Sequence, residues 1–122
     1  MSQPVVDLNS LPFRPSRSTG TGRTHFFSGQ VGLKEGKLVE GGLEAELRQA
    51  LENIKQLLDE LKISRSQVCD VTVFLVDMND YARMNHVYAE FFEGHYKPAR
   101  TCVAVAALPL GARIELKVVA SS

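Results

Sequence analysis

Arg100 and Glu115 are the residues whose surroundings most call for a chemical explanation. Arg100 stands in Pro98-Ala99-Arg100-Thr101-Cys102-Val103-Ala104-Val105-Ala106-Ala107, and Glu115 in Ala112-Arg113-Ile114-Glu115-Leu116-Lys117-Val118-Val119. Both runs read as β-strands, and Leu108-Pro109-Leu110-Gly111 between them reads as a tight turn. A charge set among small and branched apolar residues is costly to bury unless something pairs it. A substrate can be that partner. Arginine grips a carboxylate through two parallel hydrogen bonds, and a glutamate can orient and activate a water. The two together suit a small carboxylate substrate.

If the turn holds four residues, Ala107 faces Ala112, Ala104 faces Glu115, Cys102 faces Lys117 and Arg100 faces Val119. Directly opposed residues share a face. This register therefore predicts Arg100, Cys102 and Glu115 on one side of the sheet, and a slip of one residue would undo it. Arg100 and Glu115 would lie roughly 13 Å apart along the strands. That is too far for a direct ion pair, but there is room for a small ligand, especially under a neighbouring subunit. The same residues also admit a structural reading, as a stabilising arginine and a glutamate at the sheet's rim.

Backbone N–H groups near Ser28-Gly29 could hold the ligand's other polar atoms, because glycine permits close approach. Cys102 is a nucleophile in principle. No histidine stands as an obvious partner, and a small residue lining the site is the preferred reading. His25, His86 and His95 show no metal-ligand spacing, and no metal is expected. There is no Gly-rich phosphate loop, Ser/His/Asp signature or dinucleotide fingerprint.

The positioning elements follow from periodicity. Residues 1–22 are rich in Pro, Ser, Gly and Thr and read as loop or extended chain. Thr24–Val31 reads as a strand whose glycine marks a bulge or a close backbone approach. Gly36 turns the chain into a short strand near 37–40. Leu43, Leu47, Ala50, Leu51, Ile54, Leu57, Leu58 and Leu61 then recur at helical spacing, predicting an amphipathic helix over about 43–62. Val68–Val76 is a β-branched run and reads as a buried strand. Asp77 or Asn79 can cap a second helix. Tyr81, Met84, Tyr88, Phe91 and Phe92 share one face of it, and Gly94 suits its end. The predicted order is β-β-α-β-α-β-β, with room for one more short strand at the start. This is an α+β fold with two helices on one face of a mixed sheet. The other face is partly apolar and needs a cover, most simply further copies of the chain.

Length and composition agree. A chain of 122 residues with 44% apolar residues predicts a single domain over 1–122. Fourteen basic residues balance fourteen acidic ones, which argues against a dedicated nucleic-acid binder. Arg14, Arg17 and Arg23 read as solvated loop residues. Cys69 and Cys102 fit no zinc motif and suit a reduced compartment. No run is long enough to span a membrane, and no signal peptide is recognisable, so a cytoplasmic location is expected.

Pro98 to Val103, with Leu108-Pro109 and Ile114-Glu115 downstream, resembles the signature of the RidA (YjgF) family of reactive-intermediate deaminases. Phe27-Ser28-Gly29-Gln30-Val31, Val73 to Asp80 and Asn85 to Phe92 resemble further stretches of it. The resemblance spans about residues 12–120. It implies a chorismate-mutase-like, ferredoxin-like fold assembled as a homotrimer, with sites between subunits. The implied activity is hydrolysis of enamines and imines, such as 2-aminoacrylate, 2-iminobutanoate or 2-iminopropanoate, to 2-keto acids and ammonia, without a cofactor. Carried over, Arg100 would clamp the carboxylate and Glu115 would position the attacking water. Cys102, Ser28 and Gly29 would line the site, and Asn85 would lie at its rim. Phe13 stands where active members usually carry a tyrosine, so the ring is kept and the hydroxyl lost. Thr101 is a milder departure. The alternative function is a non-catalytic module that binds small carboxylates or a protein on the same scaffold. A ribonuclease is disfavoured by the neutral charge and by the lack of a His pair or basic groove.

Overall fold

The computed structural model describes residues 22–122. Phe13, Arg14 and Arg17 lie outside the described residues. The chain forms β1 (Thr24–Phe26), β2 (Leu33–Lys34), β3 (Lys37–Leu38), α1 (Gly42–Glu60), β4 (Val68–Leu75), α2 (Tyr81–Phe91), β5 (Ala99–Ala104) and β6 (Ile114–Ser121). The main sheet has the order β1-β6-β4-β5. β4 and β5 run parallel, joined through α2, while β6 is antiparallel to both β4 and β1. The fold is α+β, a mixed sheet with two helices on one face.

Burial alternation sets that arrangement. Val71, Val73 and Leu75 of β4 pair with Val118, Leu116 and Ile114 of β6, and all six are buried. They form one core with Leu43, Leu47, Ala50, Leu51, Ile54 and Leu58 of α1 and Met84, Val87, Tyr88 and Phe91 of α2. Each such large apolar side chain contributes about 1.5–3 kcal/mol on burial. The stripe of α1 follows the predicted spacing as far as Leu58. Leu57 is only partly buried, and Leu61 is the exposed C-cap.

The predicted hairpin of Pro98–Ala107 with Ala112–Val119 does not form. β4 lies between β5 and β6. β4 and β6 both carry buried alternations, Val71, Val73 and Leu75 in one and Ile114, Leu116, Val118 and Ala120 in the other. Both take interior places with a neighbour on each side. β5 is mostly exposed or half-buried and takes the sheet's edge. The βαβ crossover through α2 brings β5 beside β4. Leu108–Gly111 is therefore not a hairpin turn. It includes a 3-10 turn with Leu110 at φ 60° and Gly111 at φ 70°, inside a longer connection across the sheet end.

The strand expected over Thr24–Val31 pairs with β6 through Phe26, breaks, and rejoins it at Gln30 opposite Leu116. From Phe26 to Gln30 the chain advances four residues, while β6 advances three, from Val119 to Leu116. The extra residue is a bulge. Beyond it, Gly32 lies against α1: a Cβ there would meet the Glu46 carbonyl oxygen at 2.5 Å and its Cα at 2.7 Å. Glu46 is itself buried, and its carboxylate accepts a hydrogen bond from the Arg113 backbone N–H at 2.8 Å. Helix backbone cannot yield as a side chain end can. Gly32→Ala is accordingly expected to cost about 1–3 kcal/mol in chemical denaturation. Unchanged stability would show that the contact between Gly32 and α1 is looser than described.

Candidate active site

Strand parity, once β4 is in the middle, separates the two charges that the sequence placed together. On β5, Arg100, Cys102 and Ala104 sit opposite Val71, Val73 and Leu75, so they take the helix-covered face. On β6, Glu115 sits opposite Phe74 and Lys117 opposite Thr72, so they take the open face. The expected single-face constellation of Arg100, Cys102 and Glu115 is thus corrected. Arg100 and Cys102 are together, and Glu115 is on the other side of the same sheet. Its cause is the intervening strand, which replaces the pairings Arg100–Val119, Cys102–Lys117 and Ala104–Glu115.

Helix α2 holds Arg100. Tyr81, Met84 and Tyr88 follow spacings of three and four residues and share one face. An Arg100 Nη2–H donates to Tyr81 Oη at 3.1 Å, and Nη1 lies 3.6 Å from Met84 Sδ. The guanidinium carbon sits 4.9 Å from the Tyr88 ring centre and 5.6 Å from that of Tyr81. Stacking on aromatic faces suits a guanidinium, whose charge is attracted to the ring's negative face. Met84 and Tyr88 are fully buried, so the cradle is firm, while Arg100 remains half-buried at the sheet edge. The sequence marked Tyr81, Met84 and Tyr88 only as a core face. The spacing was visible, but their service to Arg100 depends on which strand packs beneath α2.

Two further polar atoms of this helix are buried without a hydrogen-bond partner among the described residues, Asn85 Oδ1 and the Tyr88 hydroxyl. Asn85 follows Met84 directly and, at spacings of four and three residues, neighbours Tyr81 and Tyr88 on the helix surface. Burial pushes the Tyr88 hydroxyl far above its ordinary range, with Arg100 pulling the other way and Asp70 adding to the rise. Burial likewise raises the Cys102 thiol, against the opposing pull of Arg100. Cys102 packs at the edge of the core. A thiol held protonated is a weak nucleophile, which favours a lining role.

The second group gathers at the bulge. Gly29 abuts Glu115: a Cβ on Gly29 would meet Oε1 at 2.5 Å and Cδ at 2.9 Å. Ser28 and Gly29 are both exposed, and Gln30 Nε2–H reaches back to the Ser28 carbonyl at 3.0 Å. Lys117, one strand repeat from Glu115, donates to the Phe27 carbonyl at 3.0 Å. The open face around Glu115 carries Phe26, Phe74, Val103 and Val119. Phe26 is 72% exposed. Two hollows on the outer helical surface are lined by neither Arg100 nor Glu115. One lies between Arg48, Lys55, Arg65 and Phe91, the other around His86, His95 and Lys97. The histidines lie apart: His25 pairs with Ser122, His86 with Glu90 and His95 with Ser66.

The comparisons with known proteins identify the scaffold. Residues 12–122 match the family described as Endoribonuclease L-PSP. The chain belongs to the RidA (YjgF) family. Among relatives of this family, the protein HMF1 of Saccharomyces cerevisiae is 45% identical over 97 residues, covering 79% of this chain and 74% of that protein. The mouse (Mus musculus) 2-iminobutanoate/2-iminopropanoate deaminase is 41% identical over 107 residues, covering 86% of this chain and 78% of that one. Among solved structures, E. coli TdcF with bound serine superposes with a TM-score of 0.77 at 28% identity, covering 98% of this chain and 99% of that one.

The contact between Gly29 and Glu115 gives a direct structural test. In a crystal structure of Gly29→Ala, the Glu115 side chain is expected to move to another rotamer while the backbone of 28–30 stays in place. A shifted backbone with the Glu115 rotamer retained would contradict the described contact.

Proposed function

We propose that this chain is an imine and enamine deaminase. It would hydrolyse 2-imino acids of the 2-iminobutanoate and 2-iminopropanoate type to 2-keto acids and ammonia, in sites between the copies of a homotrimer. The observation that carries this reading is the cradled Arg100, in a chain 41% identical to a mouse protein of that activity. A guanidinium fixed by α2 is suited to a carboxylate arriving from solvent. Glu115, beside the bulge at Gly29, is a half-buried carboxylate on the sheet's open face and can serve a water.

The opposite faces of Arg100 and Glu115 become intelligible if two copies complete one site. One copy would offer Arg100, Cys102 and Asn85 at its β5 edge. Its neighbour would offer Ser28, Gly29 and Glu115 from its open face. That apolar face, with Phe26, Phe74, Val103 and Val119, would be covered in the same assembly.

The chemistry asks little more. The protonated imine carbon is already electrophilic, so orientation and a well-placed water do most of the work. Glu115 takes a proton as the water oxygen bonds to that carbon. The carbinolamine then collapses: Glu115 returns its proton to the nitrogen, the C–N bond breaks and ammonia departs. Glu115 takes the hydroxyl proton as the C=O of the keto acid forms, then releases it to the departing ammonia as ammonium. Nothing in this sequence of steps needs the Cys102 thiolate. The family's description as an endoribonuclease finds no support in the chain's balance of fourteen basic and fourteen acidic residues.

The test is keto-acid formation coupled to a dehydratase or an amino-acid oxidase. The wild-type chain should accelerate it. Arg100→Ala should lower kcat/KM by about 10- to 100-fold through loss of the charged hydrogen bonds, and Glu115→Gln should lower kcat by about 100-fold or more. No acceleration with any imine would overturn the deaminase reading. Keto-acid binding without turnover would place the chain with the non-catalytic carboxylate binders instead.

A further inference from the structure

Tyr81 is the member of the Arg100 cradle that reaches the surface. Met84 and Tyr88 are sealed in the core, whereas Tyr81 is 37% exposed. Its oxygen accepts a hydrogen bond from Arg100 Nη2–H at 3.1 Å. A phenol oxygen carries one proton, and a guanidinium has donors only. With Arg100 donating into the oxygen, the phenol's own proton cannot point back at Arg100. It must be directed elsewhere, and with Tyr81 partly exposed beside the half-buried Arg100 the hydroxyl is within reach of an anion that Arg100 would grip.

We propose that Tyr81 is a second ligand of the substrate carboxylate, donating its hydroxyl proton to the anion that Arg100 grips. The inference rests on the carboxylate-binding role of Arg100 above and extends it to a residue of α2. Two donors of different kind, held by one hydrogen bond between them, favour an oxygen pair of carboxylate geometry over a neutral group. Tyr81 thereby sets specificity for 2-imino acids against uncharged imines. The neighbouring Tyr88 cannot do this, because its hydroxyl is buried with no access to a ligand at the surface.

The experiment compares wild type, Tyr81→Phe and Arg100→Ala. Calorimetry would measure the affinity for 2-ketobutanoate and for its neutral amide, and the coupled assay would supply kcat and KM. Tyr81→Phe keeps the ring beside the guanidinium and removes the hydroxyl together with the acceptor of the Arg100 hydrogen bond. A crystal structure of the variant should therefore show Arg100 in place; a displaced Arg100 would show a positioning role and overturn the proposal. It should weaken keto-acid binding and raise KM about tenfold, the loss of one hydrogen bond to a charged group. The kcat and the thermal midpoint should hold, and the acid-over-amide preference should fall by the same factor. Equal losses for acid and amide would show a packing role and overturn the proposal. Wild-type keto-acid affinity in Tyr81→Phe, with affinity lost in Arg100→Ala, would overturn the role of Tyr81 alone. Wild-type affinity in both variants would overturn the Arg100 reading along with it.

Discussion

The register of β4 between β5 and β6 is the constraint on which the rest of the structure depends. It buries Val71, Val73 and Leu75 beside Val118, Leu116 and Ile114, under both helices. The same register fixes Arg100, Cys102 and Glu115 by parity. Arg100 must rise with Val71 toward α2, and Glu115 must point with Phe74 to the open face. A one-residue slip would expose the core stripe and reverse both charges, so the core that holds the fold also holds the division of the candidate site.

That division explains features that look unrelated in one copy. The Arg100 side is built from a helix face whose tyrosines and methionine satisfy a guanidinium without closing it off from solvent. The Glu115 side is built from a bulge, where one extra residue lets Gly29 come against the carboxylate. Each half is ordered by its own local structure. Neither lines the two hollows on the outer helical surface, and among the described residues Phe26 and Val103 of the open face stay exposed. The proposed assembly, in which a second copy completes the site, accounts for both.

Much of this was legible in the sequence, because periodicity reports burial. The α1 stripe, the β4 run and the α+β layering follow from local pattern. The expected cap of α2 does not: the Asp77 carboxylate accepts the Asn79 N–H at 2.9 Å and caps the short 3-10 turn Met78–Asp80, leaving α2 with Asp80 at its N-cap and no side-chain cap. The glycine flagged in the first strand does mark a bulge and a close approach. Strand order was not legible. The Leu108–Gly111 segment has turn chemistry, yet a Pro/Gly turn does not say which strand its ends will pair with. That choice depended on β4 and β6 both carrying buried alternations and on α2 carrying the chain back beside β4. Within-strand parity survived, so Arg100 and Cys102 do share a face. Parity across strands failed with the pairing. The cradle residues Tyr81, Met84 and Tyr88 were visible as a face, but only tertiary packing reveals that an arginine lies on it.

The central claim, that Arg100 of one copy works with Glu115 of another, is tested most directly by mixing two impaired variants. Arg100→Ala and Glu115→Gln chains would be unfolded together, refolded as mixed oligomers and assayed for imine hydrolysis. If each site draws its two residues from different copies, an equal mixture should recover about a quarter of wild-type activity, because about one site in four then receives both intact residues. If activity in the mixture stays at the level of the separate variants, both residues act within one copy, and the account of a divided site is wrong.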